Sequence, residues 1–119
     1  MVAVIEDDEV ERRALGRVLQ LAGFEPALFD SAETYLASPP DHAHCLIIDV
    51  QLTGMSGIDL QHKLRSEKAT VPIIVVTGNR SEVIRHRAEQ AGCAAFLRKP
   101  VDANTILGLL GSMPREARG

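Results

Sequence analysis

Short apolar runs that end in polar residues recur along the chain. The run Cys45-Leu46-Ile47-Ile48 leads directly into the single carboxylate of Asp49. An apolar run without polar alternation is typical of a strand in a parallel sheet, because helices cover both of its faces. The pattern predicts buried strands whose carboxyl ends carry polar side chains. The other runs are Val2 to Ile5 before Glu6-Asp7-Asp8, Ile73 to Val76 before Thr77, and Ala94 to Leu97 before Arg98-Lys99-Pro100.

Helical periodicity fills the segments between these runs. The first helix is predicted from about residue 9 to Gly23. Asp8 and Glu11 have the spacing of a capping box, so we expect Asp8 to begin this helix and Gly23 to end it. Its apolar stripe is Val10, Ala14, Leu15, Val18, Leu19 and Ala22.

Later segments continue the alternation of strand and helix. Phe24 to Phe29 is predicted as a strand, and Ser31 begins a second helix that Pro39-Pro40 breaks. A third helix carries Ile58, Leu60, Leu64 and Lys68, a fourth spans Ser81 to Ala91, and Asp102 can cap a fifth. Five strand-helix alternations with short connections predict an α/β fold, a doubly wound parallel sheet with right-handed crossovers.

Length and composition limit the class of protein. A chain of 119 residues with 45% hydrophobic and 24% charged residues is typical of one globular domain. We expect this domain to span residues 1–113 and a polar tail or the start of a linker to span 114–119. No apolar run approaches the ~20 residues that a membrane span needs. With no signal peptide before the first strand, we expect a cytoplasmic location and no membrane partner.

The net charge, the cysteines, the histidines and a cationic cluster predict no further functional site. The net charge is -3, so we expect no direct binding of nucleic acid by this domain. Cys45 and Cys93 are interpreted as reduced core thiols, and His42 and His44 are too few to predict a metal site. A local cationic cluster is interpreted as a solvated helix face; it consists of Arg80, Arg85, His86 and Arg87.

The carboxyl edge of the predicted sheet collects complementary side chains, namely Glu6, Asp7, Asp49, Thr77 and Lys99. Three neighbouring carboxylates raise one another's pKa, so the cluster requires a cation. Few, hard oxygen ligands suit Mg²⁺. A metal of this kind suits a phosphoryl group, whose other oxygens an amine and a hydroxyl can hold. Asp49 is then the candidate nucleophile, since aspartate carboxylates form aspartyl-phosphates. Each residue alone is ordinary as a helix cap, a strand residue or a surface charge. Five chemically complementary residues at corresponding strand ends are improbable as a chance set.

These motifs resemble the receiver domain of two-component response regulators, the CheY-like family. The resemblance covers about residues 2 to 112 and implies a flavodoxin-like (βα)5 fold with strand order 2-1-3-4-5. The spacing from Asp49 to Thr77 is most similar to FixJ-type receivers. The matching motifs are Val4-Ile5-Glu6-Asp7-Asp8, Asp49 with Met55-Ser56-Gly57, Val75-Val76-Thr77-Gly78, and Phe96 with Lys99-Pro100.

The resemblance implies a role for each metal-site residue. Asp49 would accept a phosphoryl group from the phosphohistidine of a sensor histidine kinase. Asp7 and Asp49 would bind Mg²⁺ directly with the backbone carbonyl of Gln51, and Glu6 would act through water. The family is not an enzyme class beyond self-catalysed phosphoryl acceptance and slow autodephosphorylation.

The resemblance also implies a switch. Thr77 and Lys99 would hold phosphoryl oxygens, Phe96 would turn inward when Thr77 moves, and the Lys99-Pro100 peptide would be cis. The face formed by the fourth helix, fifth strand and fifth helix would then change its packing to control a homodimer or a target. A C-terminal DNA-binding output domain outside this sequence is the corresponding expectation for transcription regulation.

Three positions concern the behaviour of the site. Thr53 stands where many relatives carry proline, so we hypothesise altered mobility of this loop. Gln51 and Asn79 occupy positions that tune phosphate loss in the family, and their identities predict no lifetime. Two alternatives remain open: a Mg²⁺-dependent phosphatase or hydrolase, which usually needs a second acid where this chain has Gln51, and a phosphorylation-independent binding module.

Overall fold

The computed structural model describes residues 1–113, in which strand and helix alternate five times as the apolar pattern predicts. The predicted tail, residues 114–119, lies outside the described residues. The elements are β1 (Val2–Ile5), α1 (Glu9–Leu21), β2 (Pro26–Phe29), α2 (Ala32–Ala37), β3 (Cys45–Asp49), α3 (Gly57–Ser66), β4 (Ile73–Thr77), α4 (Glu82–Gln90), β5 (Ala95–Arg98) and α5 (Ala103–Ser112).

The five strands form one sheet in the order β2-β1-β3-β4-β5, and every neighbouring pair is parallel. This order confirms the flavodoxin-like fold. β3 lies at the centre of the sheet, where Ile47 pairs with Val4 on one side and Ile74 on the other. Because all strands run the same way, their carboxyl ends meet at one edge.

Alternate residues of each strand face two separate cores. On one face, Ile5, Ile48 and Val75 pack with buried residues of α2, α3 and α4. On the other face, Val4 and Ile47 pack with buried residues of α1 and α5. Apolar side chains therefore cover the sheet from both sides, which is why its strands lack polar alternation.

The ends of α1 are as predicted, but part of its apolar stripe is not. The Asp8 carboxylate accepts a hydrogen bond from the Glu11 backbone N–H at 2.9 Å, and Gly23 follows the helix with φ +92°. Leu19 is fully buried, whereas Val10 is 77% exposed. The prediction for Val10 is wrong because nine positions correspond to 2.5 helical turns, which places Val10 opposite Leu19. Ala14 and Ala22 are exposed as well, because Ala14 lies about 140° around the helix from Leu19 and Ala22 follows the last helical residue.

The bounds of β2, α3 and β5 and the capping of α5 differ from the sequence predictions, with β5 at Ala95–Arg98 rather than Ala94 to Leu97. β2 begins at Pro26 rather than Phe24, and α3 ends at Ser66, so Lys68 lies beyond the helix with φ 65°. Asp102 precedes α5, but its side chain makes no cap hydrogen bond to the helix backbone. Its carboxylate instead accepts a hydrogen bond from the Thr105 hydroxyl at 3.4 Å.

Candidate functional site

The carboxyl ends of the strands bring the predicted site residues to one edge of the sheet. Glu6 directly follows β1, Asp49 ends β3, Thr77 ends β4 and Lys99 directly follows β5. The Lys99 ammonium donates hydrogen bonds to Oε1 of Glu6 at 2.9 Å and to Oδ2 of Asp49 at 3.0 Å. The topology therefore joins residues from three separate strands in one polar cluster.

Lys99 has a third carboxylate partner that the sequence analysis missed. Its Nζ lies 2.8 Å from Oε1 of Glu11, on the first turns of α1. Burial lowers the pKa of Lys99, but hydrogen bonds to Glu11, Glu6 and Asp49 outweigh burial and raise this pKa above its ordinary value. Lys99 is therefore an ammonium at any physiological pH.

Glu6 is held at both carboxylate oxygens. Lys99 binds Oε1, and the Asp8 backbone N–H donates to Oε2 at 3.1 Å. This second bond explains why Glu11 does not complete the capping box, since the N–H that Glu11 would bind is taken. Burial and, to a smaller extent, the charge of Asp49 raise the pKa of Glu6 to about 7, although the hydrogen bonds from Lys99 and Asp8 oppose this shift.

The acids at this edge suit a divalent cation. Oxygen atoms of Glu6, Asp7 and Asp49 lie within 4.8 Å of one another, the one such group of three found within residues 1–113. Asp7 is exposed, and its Oδ2 accepts a hydrogen bond from the Thr53 hydroxyl at 3.2 Å. Carboxylate oxygens with an open side toward solvent are the donors that Mg²⁺ prefers. The residues present therefore fit a magnesium ion.

Asp49 is buried and aimed by the loop that follows it. Its side chain is 5% exposed, and Oδ1 accepts a hydrogen bond from the Gln51 backbone N–H at 3.0 Å. Gly57 packs so closely beneath this loop that a Cβ atom there would overlap the Asp49 carbonyl oxygen. The Met55 N–H donates to Oε2 of Glu33 at 2.8 Å, a contact from α2 that the sequence analysis also missed. The metal role of the Gln51 carbonyl stays a prediction.

Thr77 ends β4, which lies between β3 and the strand that precedes Lys99. It is fully buried, and its hydroxyl oxygen accepts a hydrogen bond from the Asn79 N–H at 3.0 Å. The Lys99 N–H in turn donates to the Thr77 carbonyl at 2.9 Å. The Lys99-Pro100 peptide is cis, as the family resemblance implied.

Phe96 is half-buried between two guanidinium groups. Arg85 of α4 lies 5.8 Å from the ring centroid and Arg98 of β5 lies 6.0 Å from it. Glu89 pairs with Arg85 at 3.2 Å, and Glu82 pairs with Arg98 at 3.0 Å. The partly buried ring therefore packs against the core at the junction of α4 and β5.

The histidines, cysteines and cationic side chains that the sequence analysis set aside differ in their surroundings. His42 is exposed, whereas His44 is buried and its ring meets Phe24 edge-on, so the two histidines differ in environment. Cys45 and Cys93 are free thiols, as expected. The predicted solvated cluster is exposed, namely Arg80, Arg85, His86 and Arg87.

No helix within residues 1–113 combines the length and the apolar character that crossing a bilayer requires.

A doubly wound parallel sheet with an acidic cluster, a buried threonine and an ammonium at its carboxyl edge defines the receiver class of signalling domains. The chain belongs to the response regulator receiver domain family, whose model matches residues 2–110. It is therefore a receiver domain of a two-component response regulator, and family membership does not favour the hydrolase or the phosphorylation-independent binding module.

Curated relatives support this assignment. The chain is 31% identical over 117 residues to the transcriptional regulatory protein FixJ of Bradyrhizobium diazoefficiens, covering 98% of this chain and 57% of that protein. It is 40% identical over 108 residues to nodulation protein W of the same organism, covering 90% of this chain and 48% of that protein. The chain thus spans about half the length of these relatives.

Solved structures agree with the fold. A response regulator receiver protein from Pseudomonas putida superposes with a TM-score of 0.86 at 32% identity, covering 92% of this chain and 93% of that one. A response regulator protein from Burkholderia pseudomallei, which carries a phosphorylated aspartic acid and a calcium ion, superposes with a TM-score of 0.81 at 26% identity. That match covers 92% of this chain and 65% of the other.

Proposed function

We propose that Asp49 is the phosphoryl acceptor of this receiver and that a sensor histidine kinase supplies the phosphoryl group. The observation that carries the proposal is the contact of the Asp49 carboxylate, which is 5% exposed, with the Lys99 ammonium at 3.0 Å. A carboxylate held beside a fixed cation is placed to attack a phosphoryl group whose negative charge that cation offsets. The related protein from Burkholderia pseudomallei, which carries a phosphorylated aspartic acid, supports an aspartate as acceptor.

The reaction transfers the phosphoryl group between two residues. An Asp49 carboxylate oxygen attacks phosphorus, the phosphorus–nitrogen bond of phosphohistidine breaks, and the leaving imidazole nitrogen keeps its electron pair and takes up a proton. Lys99 stabilises the negative charge on the equatorial oxygens, and the Thr77 hydroxyl binds another oxygen once it exchanges its hydrogen bond with Asn79.

The acidic cluster of Glu6, Asp7 and Asp49 is proposed to hold Mg²⁺, with the Gln51 carbonyl as a further ligand. When bound, the ion would neutralise the carboxylates and the transferred phosphoryl oxygens. Glu6 fits the outer position assigned to it because Lys99 and the Asp8 N–H already engage its two oxygens. Asp7, which is exposed, fits direct coordination.

The proposed output lies on the face formed by α4, β5 and α5. Phosphorylation adds nearly two negative charges beside Thr77, and the shift of Thr77 opens space toward which Phe96 turns. For this to happen the ring must leave Arg85 and Arg98, which flank it in the resting conformation. The ring then uncovers one side of these guanidinium groups, which stay paired with Glu89 and Glu82, to a homodimer partner or a target.

The regulated process is proposed to be transcription, through an output domain outside this sequence. Two observations support this: the relative FixJ is a transcriptional regulatory protein, and this chain spans 57% of its length. The domain boundary at residue 113 and the cytoplasmic location belong to the same proposal. Size-exclusion chromatography with light scattering, before and after phosphorylation, tests the homodimer.

Intact-mass measurement after incubation with acetyl phosphate tests the acceptor function. We expect the native chain to gain one phosphoryl group in Mg²⁺ and none in EDTA. Asp49→Asn should gain none, whereas Asp8→Asn, which changes a neighbouring acid that caps α1, should label like the native chain. Steady release of phosphate without a labelled species would instead favour a hydrolase. Labelling of Asp49→Asn at the native rate would contradict the assignment of the acceptor.

A further inference from the structure

The Lys99 ammonium has no donor left for a phosphoryl group in the resting structure. An ammonium carries three N–H donors. Three carboxylates engage them: Glu11 at 2.8 Å, Glu6 at 2.9 Å and Asp49 at 3.0 Å. If Lys99 binds a phosphoryl oxygen after transfer, one of these partners must leave.

The three partners differ in how firmly they are held. The Glu6 side chain is 10% exposed and its second oxygen binds the Asp8 N–H, so it is fixed on both sides. Asp49 is the acceptor itself, and its second oxygen binds the Gln51 N–H. The Glu11 side chain is 48% exposed and can turn into water at little cost.

We infer that Glu11 is a resting-state placeholder, whose carboxylate occupies the Lys99 donor that a phosphoryl oxygen takes after transfer. This inference rests on the proposed function of Asp49. Glu11 is then a positioning residue that acts through Lys99: it competes with the incoming phosphoryl group and weakens the phosphorylated state. In the resting state three carboxylates neutralise the ammonium, and after transfer the phosphoryl group replaces the outermost of them, Glu11.

The position of Glu11 follows from the local structure of α1. Asp8 caps the helix by accepting from the Glu11 N–H at 2.9 Å, but the Asp8 N–H is taken by Glu6 at 3.1 Å. The Glu11 side chain therefore has no capping-box partner at the start of the helix. It reaches instead across the sheet edge to Lys99.

Equilibrium binding of beryllofluoride, a phosphoryl mimic, in the presence of Mg²⁺ tests the inference without turnover. Shifts of the Gly78 amide resonance can report the affinity. We expect Glu11→Gln to bind beryllofluoride about two- to fivefold more tightly than the native chain, the range of a partly exposed ion pair. The rate of labelling by acetyl phosphate should rise by a similar factor.

Two variants separate the contact from charge alone. Glu9→Gln removes the same charge from the same helix turn, but Glu9 pairs with Arg13 at 3.1 Å on the exposed side. We expect it to behave like the native chain. Glu11→Asp keeps the charge but withdraws the carboxylate by about 1.5 Å, the length of one carbon–carbon bond, so it should resemble Glu11→Gln.

Beryllofluoride affinity and phosphoryl labelling together separate a failure of this inference from a failure of the proposed function. Equal beryllofluoride affinity of Glu11→Gln and Glu9→Gln overturns the inference, and so does a loss of thermal stability in Glu11→Gln without a gain in affinity. If the native chain neither binds beryllofluoride nor labels on Asp49, the proposed function itself fails. If the native chain is labelled on Asp49 but Glu11→Gln does not change beryllofluoride affinity, the inference about Glu11 is wrong and the proposed function stands.

Discussion

The Lys99 ammonium lies 3.0 Å from Oδ2 of Asp49, although Asp49 ends β3 and Lys99 follows β5, and these two strands are not neighbours in the sheet. β4 separates β3 from β5, so the lysine side chain must extend past the end of β4, where Thr77 lies. The contact therefore places the Asp49 carboxylate, the Thr77 hydroxyl and the Lys99 ammonium in sequence along one edge. The arrangement depends on two properties of the sheet. Its strands are parallel, so the three carboxyl ends meet at one edge, and β4 lies between β3 and β5, so Thr77 lies between the other two side chains.

Removal of Lys99 should cost stability as well as function. Lys99→Met leaves the carboxylates of Glu6 and Asp49 buried without their cation, and we expect a loss of about 3 kcal/mol in the free energy of unfolding. Urea unfolding in EDTA at neutral pH measures it. Lys63→Met is the matched control, since Lys63 pairs with Glu67 on the exposed face of α3 and should cost under about 1 kcal/mol. Equal losses would contradict the buried ion cluster.

Magnesium should stabilise the native chain through Asp7. A ligand at about 100 times its Kd adds about 2.7 kcal/mol to the free energy of unfolding. We expect Asp7→Asn to lose most of this Mg²⁺-dependent gain, since it removes an exposed carboxylate of the cluster. Asp8→Asn retains a side chain that caps α1 and should keep the gain. Thermal unfolding across a Mg²⁺ titration distinguishes them, and the same response in both variants would exclude Asp7 as a ligand.

The close approach of Gly57 to β3 should make this position intolerant of any side chain. A Cβ atom at Gly57 would lie against the Asp49 carbonyl and 2.9 Å from Cγ2 of Ile48. We expect Gly57→Ala to destabilise the fold by about 3 kcal/mol, the upper range of overpacking. Gly108→Ala meets no atom within 4 Å and should stabilise α5 by up to about 1 kcal/mol. Chemical unfolding of both variants compares them, and a neutral Gly57→Ala would refute the close packing.

The two thiols should differ in reactivity because only one lies in the central strand. Burial raises the pKa of Cys45 to about 12, and burial also raises the pKa of Cys93. Since the thiolate is the reactive form, Cys45 should resist a disulfide reagent at pH 8 until the chain unfolds. Cys93, which is partly exposed, should react first. Cys93→Ser should therefore abolish labelling under native conditions, and rapid labelling of that variant would contradict the burial of β3.

The strands and the strand-end acids were predictable because their signal is local. An apolar run such as Cys45 to Ile48 is too short for a helix and is bounded by polar residues, so it indicates a strand, and Asp49 then follows at its carboxyl end. The strand order was not a product of periodicity; it came from the family resemblance and is confirmed.

The missed contacts are long-range and depend on side-chain reach. The pairing of Lys99 with Glu11, and that of Glu33 with the Met55 N–H, join segments that no sequence spacing relates. Val10 was assigned to the wrong face because loose helical spacing tolerates a residue half a turn from the buried stripe. The mobility of the Thr53 loop and the inward turn of Phe96 stay predictions.

The most direct test of the account is to locate the phosphoryl group on the chain. Borohydride reduces an aspartyl-phosphate to homoserine, so peptide mass spectrometry after acetyl phosphate, Mg²⁺ and borohydride treatment marks the acceptor residue. We predict homoserine at position 49, absent when Mg²⁺ is removed. Homoserine at position 7 or 8 with an unchanged Asp49 would contradict the central claim.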